Sequence, residues 1–328
     1  MEAYLKHEDG KYNAADPTDP SSFSRIKFII KVTLHLVWNI PALLGDILSA
    51  ILWTPKKSIR GQIALVTGGG NGLGRAISFR LAKEGCRVAV ADIDLISARN
   101  TAEELCKTGV QCAAFHVDVS KKDSIRQLRT EIEKSMGEVD ILVNNAGLLA
   151  LASSSEGTDE EVQRIIDVNL TSHFWTVREF KPSMVRRKRG HIVAVCSVLG
   201  LLAVFRGIGY CATKHGVRGF MRTLREELVF LNLDKHIHTT TVFPTFISTR
   251  KELMDIVYDM LGICLKTVTP EQAARAIVAA LQKNQHEKRI IPFPDNYFIR
   301  IQSFLPARVM RIAIKCGMKK NSDITPTV

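Results

Sequence analysis

Apolar and polar positions alternate in blocks along most of this chain, and the blocks predict short buried strands followed by amphipathic helices. The runs 63–66, 86–91 and 111–117 are mostly apolar and four to seven residues long, a length typical of strands in a covered sheet. The segments between them are longer and have helical periodicity. Repeated strand–helix units favour a parallel sheet with helices on both faces. We therefore expect an α/β fold, a single domain built on a doubly wound, Rossmann-like parallel sheet.

The same pattern continues towards the carboxyl terminus. Further strands are predicted at 141–143, 191–196, 239–243 and 289–291, and a helix is predicted to begin at about Tyr210. Helix starts are also marked by N-capping sequences, in which a hydroxyl side chain is followed three residues later by an acidic or amide side chain. Three segments have this spacing: Ser120–Asp123, Thr158–Glu161 and Thr269–Gln272.

A glycine-rich turn, 67–74, links the first predicted strand to the first predicted helix. Such a turn exposes backbone N–H groups at a helix N-terminus, where the helix dipole favours a pyrophosphate. The next strand ends in Asp92, about 20 residues beyond the glycines, where a carboxylate can bind ribose hydroxyls. Asp92 could instead cap the following helix, or do both. The turn and Asp92 together predict a nucleotide site.

Groups suited to proton transfer follow further along the chain. Tyr210 and Lys214 are four residues apart and share a helix face, and Ser197 ends a predicted strand thirteen residues earlier. A nearby ammonium favours phenolate, so we expect Lys214 to lower the pKa of Tyr210. Because Ser197 lies with Asp92 at the carboxyl ends of parallel strands, a single site at that edge of the sheet is expected.

The N-terminal 57 residues differ from the rest in composition. Residues 1–24 are polar and rich in turn-forming residues. Residues 25–57 are apolar but interrupted by Pro41 and, before it, by polar side chains at every fourth position from Lys27 to Asn39. This pattern favours a helix or shallow hairpin lying in a membrane interface, although an amphipathic helix packed on the domain also fits. Residues 58–294 would form the catalytic domain, and 295–328 a basic, amphipathic extension that lies on lipid or packs on its own subunit.

Composition excludes several classes of function. The net charge is +12, but the basic residues are spread out and no basic–aromatic interleaving predicts a nucleic-acid surface. The seven cysteines contain no CxxC pair, which favours buried reduced thiols and a reducing compartment. No metal-ligand spacing occurs among the nine histidines, so no metal site is expected.

From about Gly61 to Phe293 the chain resembles the short-chain dehydrogenases/reductases. Thr67-Gly68-x-x-x-Gly72-x-Gly74 is similar to the cofactor turn of that family, and Asn144-Asn145-Ala146-Gly147 to its sheet-stabilising motif. Asn169, Ser197, Tyr210 and Lys214 match its catalytic tetrad. The resemblance implies that Tyr210 is the acid/base, Ser197 orients the substrate oxygen, and Asn169 organises a water relay. The implied cofactor-binding residues are Gly68, Asn71, Gly72, Leu73, Gly74, Asp92, Asp118, Val119, Asn145, Ala146, Gly147, Tyr210, Lys214 and Thr249. One departure is Pro244-Thr245, where the family usually has Pro-Gly.

Finer motifs, such as 172–176 and 244–249, resemble a membrane-associated subgroup that contains epidermal retinal dehydrogenases and lipid-droplet 17-beta-hydroxysteroid dehydrogenases. The resemblance implies hydride transfer between a nicotinamide cofactor and a lipophilic alcohol or carbonyl, in the retinol or hydroxysteroid class. The alternative is a non-catalytic protein of a lipid surface that keeps a nucleotide-binding fold. Asp92 would repel a 2′-phosphate, so NAD is expected rather than NADP.

Partners and location follow from the same features. We expect a homodimer formed through the helices of Asn169 and Tyr210, with Phe174, Phe220 and Met221 as apolar contacts, although packing of these residues inside one subunit also fits. The membrane-seeking ends predict the cytosolic face of the endoplasmic reticulum, with lipid droplets second. A lid between Thr249 and Thr269 would then admit a poorly soluble substrate.

Overall fold

A computed structural model describes Thr33 and residues 55–149, 157–204, 206–248 and 267–292. The chain divides into two compact units, Met1–Pro55 and Lys56–Val328, and every element described below belongs to the second. The predicted segments 1–24 and 295–328, nearly all of 25–57 and most of the predicted lid lie outside the described residues. No helix in the described parts is long and apolar enough to cross a membrane.

A parallel sheet forms the centre of the second unit. Within the described residues its strand order is β3-β2-β1-β4-β5-β6-β7, and every neighbouring pair is parallel. The strands are β1 Ile63–Thr67, β2 Arg87–Asp92, β3 Cys112–His116, β4 Ile141–Asn144, β5 Gly190–Val195, β6 Ile237–Pro244 and β7 Glu287–Ile290. All five residues of β1 are buried, as expected of a strand covered on both faces. The predicted doubly wound parallel sheet is confirmed.

Helices cover both faces of this sheet. They are α1 Gly72–Lys83, α2 Leu95–Cys106, α3 Lys122–Ser135, α4 Asp159–Ile166, α5 Ser172–Arg187, α6 Ile208–Phe230 and α7 Pro270–Gln282. One apolar core forms beneath α1, α2 and α7, where Ile77, Leu105 and Ile277 are buried. The other lies beneath α3, α5 and α6 and contains Leu128 and Phe180. The carboxyl ends of the strands remain between these layers and form the floor of a cleft.

Two of the three predicted capping sequences form as expected. The Thr158 and Thr269 hydroxyls each accept a hydrogen bond from a backbone N–H three residues on, and Glu161 and Gln272 return one. The capping box predicted at Ser120 is wrong, because α3 begins at Lys122 without a side-chain cap. Ser120 instead donates its hydroxyl proton to Asp118 Oδ1 at 2.6 Å. The Asp118 carboxylate is a charged and therefore stronger acceptor, so the Ser120 hydroxyl bonds to it and does not cap α3.

Candidate active site

An open cleft of about 1110 Å³ lies at the carboxyl ends of the strands. Most of the predicted site residues line it: Gly68, Asn71, Gly72, Leu73, Gly74, Asp92, Asp118, Val119, Asn145, Ala146, Gly147, Ser197, Tyr210 and Lys214. Asn169 is fully buried behind the cleft, and Thr249 lies outside the described residues. Residues from six parts of the chain are therefore brought to one place, as a site at this edge of the sheet requires.

The glycine-rich turn between β1 and α1 is packed so tightly that side chains would not fit at several of its positions. A Cβ atom added at Gly74 would overlap the Gly68 carbonyl oxygen and lie 2.5 Å from Asn145 Nδ2. Gly68 itself has a φ of 62°, in the left-handed region that glycine adopts without strain. The turn is held by the residue that follows the neighbouring strand β4, since Asn145 Nδ2 donates to the carbonyls of Thr67 and Gly68, both at 3.0 Å. The result is a rigid backbone cradle at a helix N-terminus.

Two carboxylates lie at the end of the cleft furthest from the predicted tetrad along the sheet. Asp92 Oδ2 accepts from Gly70 N at 2.9 Å, and Oδ1 accepts from Asp94 N at 3.1 Å. Asp94, rather than Asp92, is the N-cap of α2, so the capping alternative for Asp92 is wrong. Burial acts to raise the pKa of Asp118, but hydrogen bonds from Ser120 and Lys121 outweigh it and lower that pKa. Both side chains are therefore hydrogen-bond acceptors at this end.

Asn169 lies in a π-helical turn, Asp167–Thr171, between α4 and α5. Its Oδ1 accepts from Leu148 N at 2.7 Å, and its Nδ2 donates to Leu148 O at 2.8 Å. The side chain thus holds the loop that follows β4 from behind. A Cβ at Gly147 would lie 3.3 Å from Asn169 Oδ1 and 3.6 Å from Lys214 Nζ, so these three residues meet. The π turn could not be read from the sequence, and such turns often mark functional sites.

Ser197, Tyr210 and Lys214 form the opposite end of the cleft. The Ser197 side chain lies near the Tyr210 phenol and acts to lower its pKa, and Ser197 Oγ accepts from Leu199 N at 3.1 Å. Lys214 Nζ donates to Val195 O at 3.3 Å and lies 5.5 Å from the centroid of the Tyr210 ring. The three groups that the sequence predicted to act together are neighbours.

The predicted lowering of the Tyr210 pKa by Lys214 is not found. Burial raises the pKa of Tyr210 to about 12, and the nearby Ser197 side chain offsets only part of that shift. Lys214 is not among the groups that shift this pKa. Burial also lowers the pKa of Lys214. In this arrangement the phenol carries its proton at neutral pH.

Sequence reasoning missed part of the cleft wall. Glu160, Gln163 and Arg164 reach it from α4, and Phe246 and Ile247 line it beyond β6. The capping box at Thr158 was a signal that a helix began there, but nothing in the local pattern showed which face would meet the site.

The chain was compared with known proteins and solved structures. The profile of the short chain dehydrogenase family matches residues 62–253. The chain belongs to the short-chain dehydrogenase family. It is 32% identical to human 17-beta-hydroxysteroid dehydrogenase 13 over 289 residues, which cover 88% of this chain and 93% of that protein. It is also 32% identical to human epidermal retinol dehydrogenase 2 over 285 residues, covering 85% and 89%.

Solved structures support the same fold. A metagenomic short-chain oxidoreductase in complex with NADP superposes with a TM-score of 0.60 at 28% identity, covering 72% of this chain and 97% of that one. This short-chain dehydrogenase is thus an oxidoreductase of CH–OH groups that uses a nicotinamide cofactor. Its cleft fits such a cofactor, because a Cβ at Gly70 or Gly74 would strike neighbouring protein atoms, so only glycine lets the turn close this tightly beside the N-terminus of α1, where a pyrophosphate can bind.

Proposed function

We propose that this short-chain dehydrogenase interconverts a lipophilic alcohol and its carbonyl compound, in the hydroxysteroid or retinoid class, with NAD(H) as its cofactor. The observation that carries the proposal is that Ser197, Tyr210 and Lys214 meet at one end of a cleft that starts in a glycine cradle, with Lys214 Nζ 5.5 Å from the centroid of the Tyr210 ring. The substrate class is supported by the names of the relatives and by the side chains around the reacting end. Apolar residues line the cleft there: Leu148, Leu149, Val198, Leu199, Phe246 and Ile247.

The roles of the residues follow from their positions. When bound, the nicotinamide ring supplies the acceptor or donor of the hydride. Tyr210 would take the hydroxyl proton of the alcohol as its carbon loses hydride, and would return that proton to the oxygen in the reverse direction. Ser197 would hold the same oxygen by a hydrogen bond, and Lys214 would bind the cofactor ribose. The apolar walls would exclude water from this step.

Replacing Tyr210 tests the proposed acid/base. Tyr210→Phe keeps the ring but removes the hydroxyl, so turnover of retinol and of a 17-beta-hydroxysteroid should fall by roughly 10²- to 10⁴-fold. NADH binding, followed by fluorescence titration, should persist because the cradle is untouched. Phe79→Tyr, a change of the same size in α1, is the matched control and should leave turnover unchanged. Undiminished turnover of Tyr210→Phe would contradict the assignment.

The preference for NAD rests on Asp92. Its carboxylate lies at the end of β2 against the glycine turn, where it would accept hydrogen bonds from ribose hydroxyls and repel a 2′-phosphate. Arg75 in α1 could otherwise offset the negative charge of Asp92, but it forms an ion pair with Glu104 at 2.6 Å. Dissociation constants measured for NADH and NADPH should favour NADH. Asp92→Asn should narrow the difference by relieving the repulsion, and tighter binding of NADPH by the wild type would refute the preference.

Membrane association and a homodimer complete the proposal. The apolar segment 25–57 and the basic extension 295–328 support attachment to the cytosolic face of the endoplasmic reticulum or to lipid droplets.

An apolar face on α5 and α6 supports the homodimer. Phe174 is 43% exposed and packs on Phe220 at 4.6 Å between ring centroids, which leaves this face open. Met221, predicted as an interface residue, is instead buried in the core of its own subunit.

Fractionation of full-length protein beside a chain that begins at Ser58 tests the attachment. Full-length protein should stay membrane-bound through a high-salt wash, and the shortened chain should lose binding. A full-length protein that is soluble from the outset would refute the attachment.

Light scattering tests the homodimer. Full-length protein in detergent should give a dimer mass, and a monomer alone would refute the dimer.

A further inference from the structure

Two of the described cysteines lie beside each other at one edge of the sheet. Cys106 is the last residue of α2, and Cys112 is the first residue of β3. The Cys106 thiol donates to the backbone carbonyl of Cys112, with 3.4 Å between sulfur and oxygen. Cys106 is exposed and Cys112 is partly exposed. Two cysteines that solvent can reach therefore meet at this edge, outside the cleft.

The turn between α2 and β3 holds the two residues in this arrangement. Gly109 N donates to Cys106 O at 3.0 Å, and Gly109 has a φ of 83°, in the left-handed region that glycine adopts without strain. Val88 N fixes the end of the turn by donating to Gln111 O at 3.0 Å. Because Cys112 packs against the apolar core beneath α2, its side chain is on the face of the sheet that α2 covers. Both thiols thus lie on the same side of the sheet.

The two thiols differ in how readily each would react. In exchange with a disulfide the nucleophile is the thiolate and not the thiol. Burial and the neighbouring Cys106 raise the pKa of Cys112 to about 11, so very little of Cys112 is thiolate at neutral pH. Cys106 is also the more exposed of the two. An incoming disulfide would therefore react with Cys106 first, and Cys112 would be the second thiol to react.

We propose that Cys106 and Cys112 are a site of reversible oxidation, at which a small disulfide such as glutathione disulfide converts the two thiols into one disulfide bond within the chain. First, the Cys106 thiolate attacks a sulfur of the reagent, which forms a mixed disulfide and releases one glutathione thiolate. Cys112 then loses its proton to solvent and attacks the Cys106 sulfur, which releases the second glutathione. The two cysteines are oxidised by two electrons, and glutathione disulfide is reduced to two glutathione molecules.

Peptide mapping detects this bond directly. Full-length protein in detergent is incubated with glutathione disulfide, its remaining thiols are blocked with N-ethylmaleimide, and it is digested with trypsin. Trypsin cuts after Lys107, between the two cysteines, so the bond would join peptides 100–107 and 108–121. This linked pair should appear after treatment and disappear with dithiothreitol. The protein should keep its monomer mass on a non-reducing denaturing gel, because the bond lies within one chain.

Variants and the buried thiols provide the controls. Cys106→Ser removes the first nucleophile, so the linked peptides should be absent. In Cys112→Ser the reaction should stop at the mixed disulfide, which leaves one glutathione on Cys106. Cys86, Cys196 and Cys211 are buried and should stay unmodified in the folded protein. An unchanged far-UV circular dichroism spectrum verifies that each variant is folded.

Three results would overturn the proposal. Recovery of both Cys106 and Cys112 as N-ethylmaleimide adducts after treatment would show that the pair is not oxidised. A bond from Cys106 to another cysteine, or to a second chain, would show that Cys112 is not its partner. Equal modification of the buried cysteines would show that the reaction does not depend on this arrangement.

Discussion

Burial acts on both ionisable groups of the reacting centre, and it acts in opposite senses on their pKa values. It raises the pKa of Tyr210 to about 12 and lowers that of Lys214, so each group is driven towards its neutral form. A protonated phenol is ready to donate to a carbonyl. Alcohol oxidation instead requires the phenol to lose that proton. The rate of alcohol oxidation should therefore increase with rising pH, and should depend on pH more strongly than the rate of carbonyl reduction.

The glycine cradle gives a sharper test at a single residue. A Cβ at Gly74 would overlap the Gly68 carbonyl, so Gly74→Ala should lower the free energy of unfolding by about 1–3 kcal/mol and weaken NADH binding. Gly219 is the matched control, because nothing lies within 4 Å of a Cβ added there on α6. Gly219→Ala should stabilise the protein by about 0.5–1 kcal/mol through helix propensity. Urea unfolding measures both, and equal effects would contradict the overlap.

Residues differ in how far the sequence could predict their roles. The cleft positions of Asp92, Asn145 and Ser197 were predictable, because each lies at or just beyond the end of a strand and parallel strands share one edge. The pKa of Tyr210 was not, since it depends on burial in the folded chain. The hydroxyl of Thr245 is buried without a partner among the described residues. This too was invisible in the sequence, because a missing partner is a property of packing and not of spacing.

Helix starts are predictable from sequence when nothing competes for the capping side chain. Thr158 and Thr269 cap their helices as expected, whereas Ser120 bonds Asp118 and leaves α3 uncapped. The cap of helix α7 also matters for packing. It buries an apolar face that includes Ala273, Ile277 and Leu281, so fraying at its start would loosen the core beneath α1.

This dependence predicts the effect of removing one cap. Thr269→Ala eliminates the acceptor for Gln272 N, which lies 3.2 Å from the hydroxyl, and should lower the free energy of unfolding by about 1 kcal/mol. Thr130→Ala is the control, since the exposed Thr130 lies inside α3 and its hydroxyl only bonds back to Arg126 O. That change should be neutral or slightly stabilising. Equal losses in denaturant titrations of the two variants would show that the cap contributes nothing.

Stability of the whole molecule should depend on pH through its buried histidines. Burial lowers the pKa of His173 to about 3 and of His238 to about 4, and it lowers that of His191 well below its ordinary value. Histidine in the unfolded chain titrates near 6.5. As pH falls below that value the unfolded state binds protons that the folded state refuses, so stability present at neutral pH is lost progressively.

Measured unfolding free energies should therefore decline between pH 6.5 and pH 4, by up to about 1.4 kcal/mol per pH unit for each of these groups. His173→Phe should make the decline in unfolding free energy less steep by the contribution of one histidine, up to about 1.4 kcal/mol per pH unit. The His173 ring is 1% exposed and its Nδ1 has no partner among the described residues, so a phenyl ring fits its place. A stability that stays level from pH 6.5 to pH 4 would contradict this account.

The strand order also bears on how the protein is made. β1 is the first strand of the sheet to leave the ribosome, yet it lies between β2 and β4 in the finished sheet. Its partner on one side follows within a few tens of residues, but on the other side Ala64 must wait for Ile141. At roughly 5–20 residues per second, an apolar strand edge then stays open for roughly 4–15 s during synthesis. For that interval the nascent chain is a substrate for chaperones, and slowing translation between β3 and β4 should increase aggregation more than slowing it after β5.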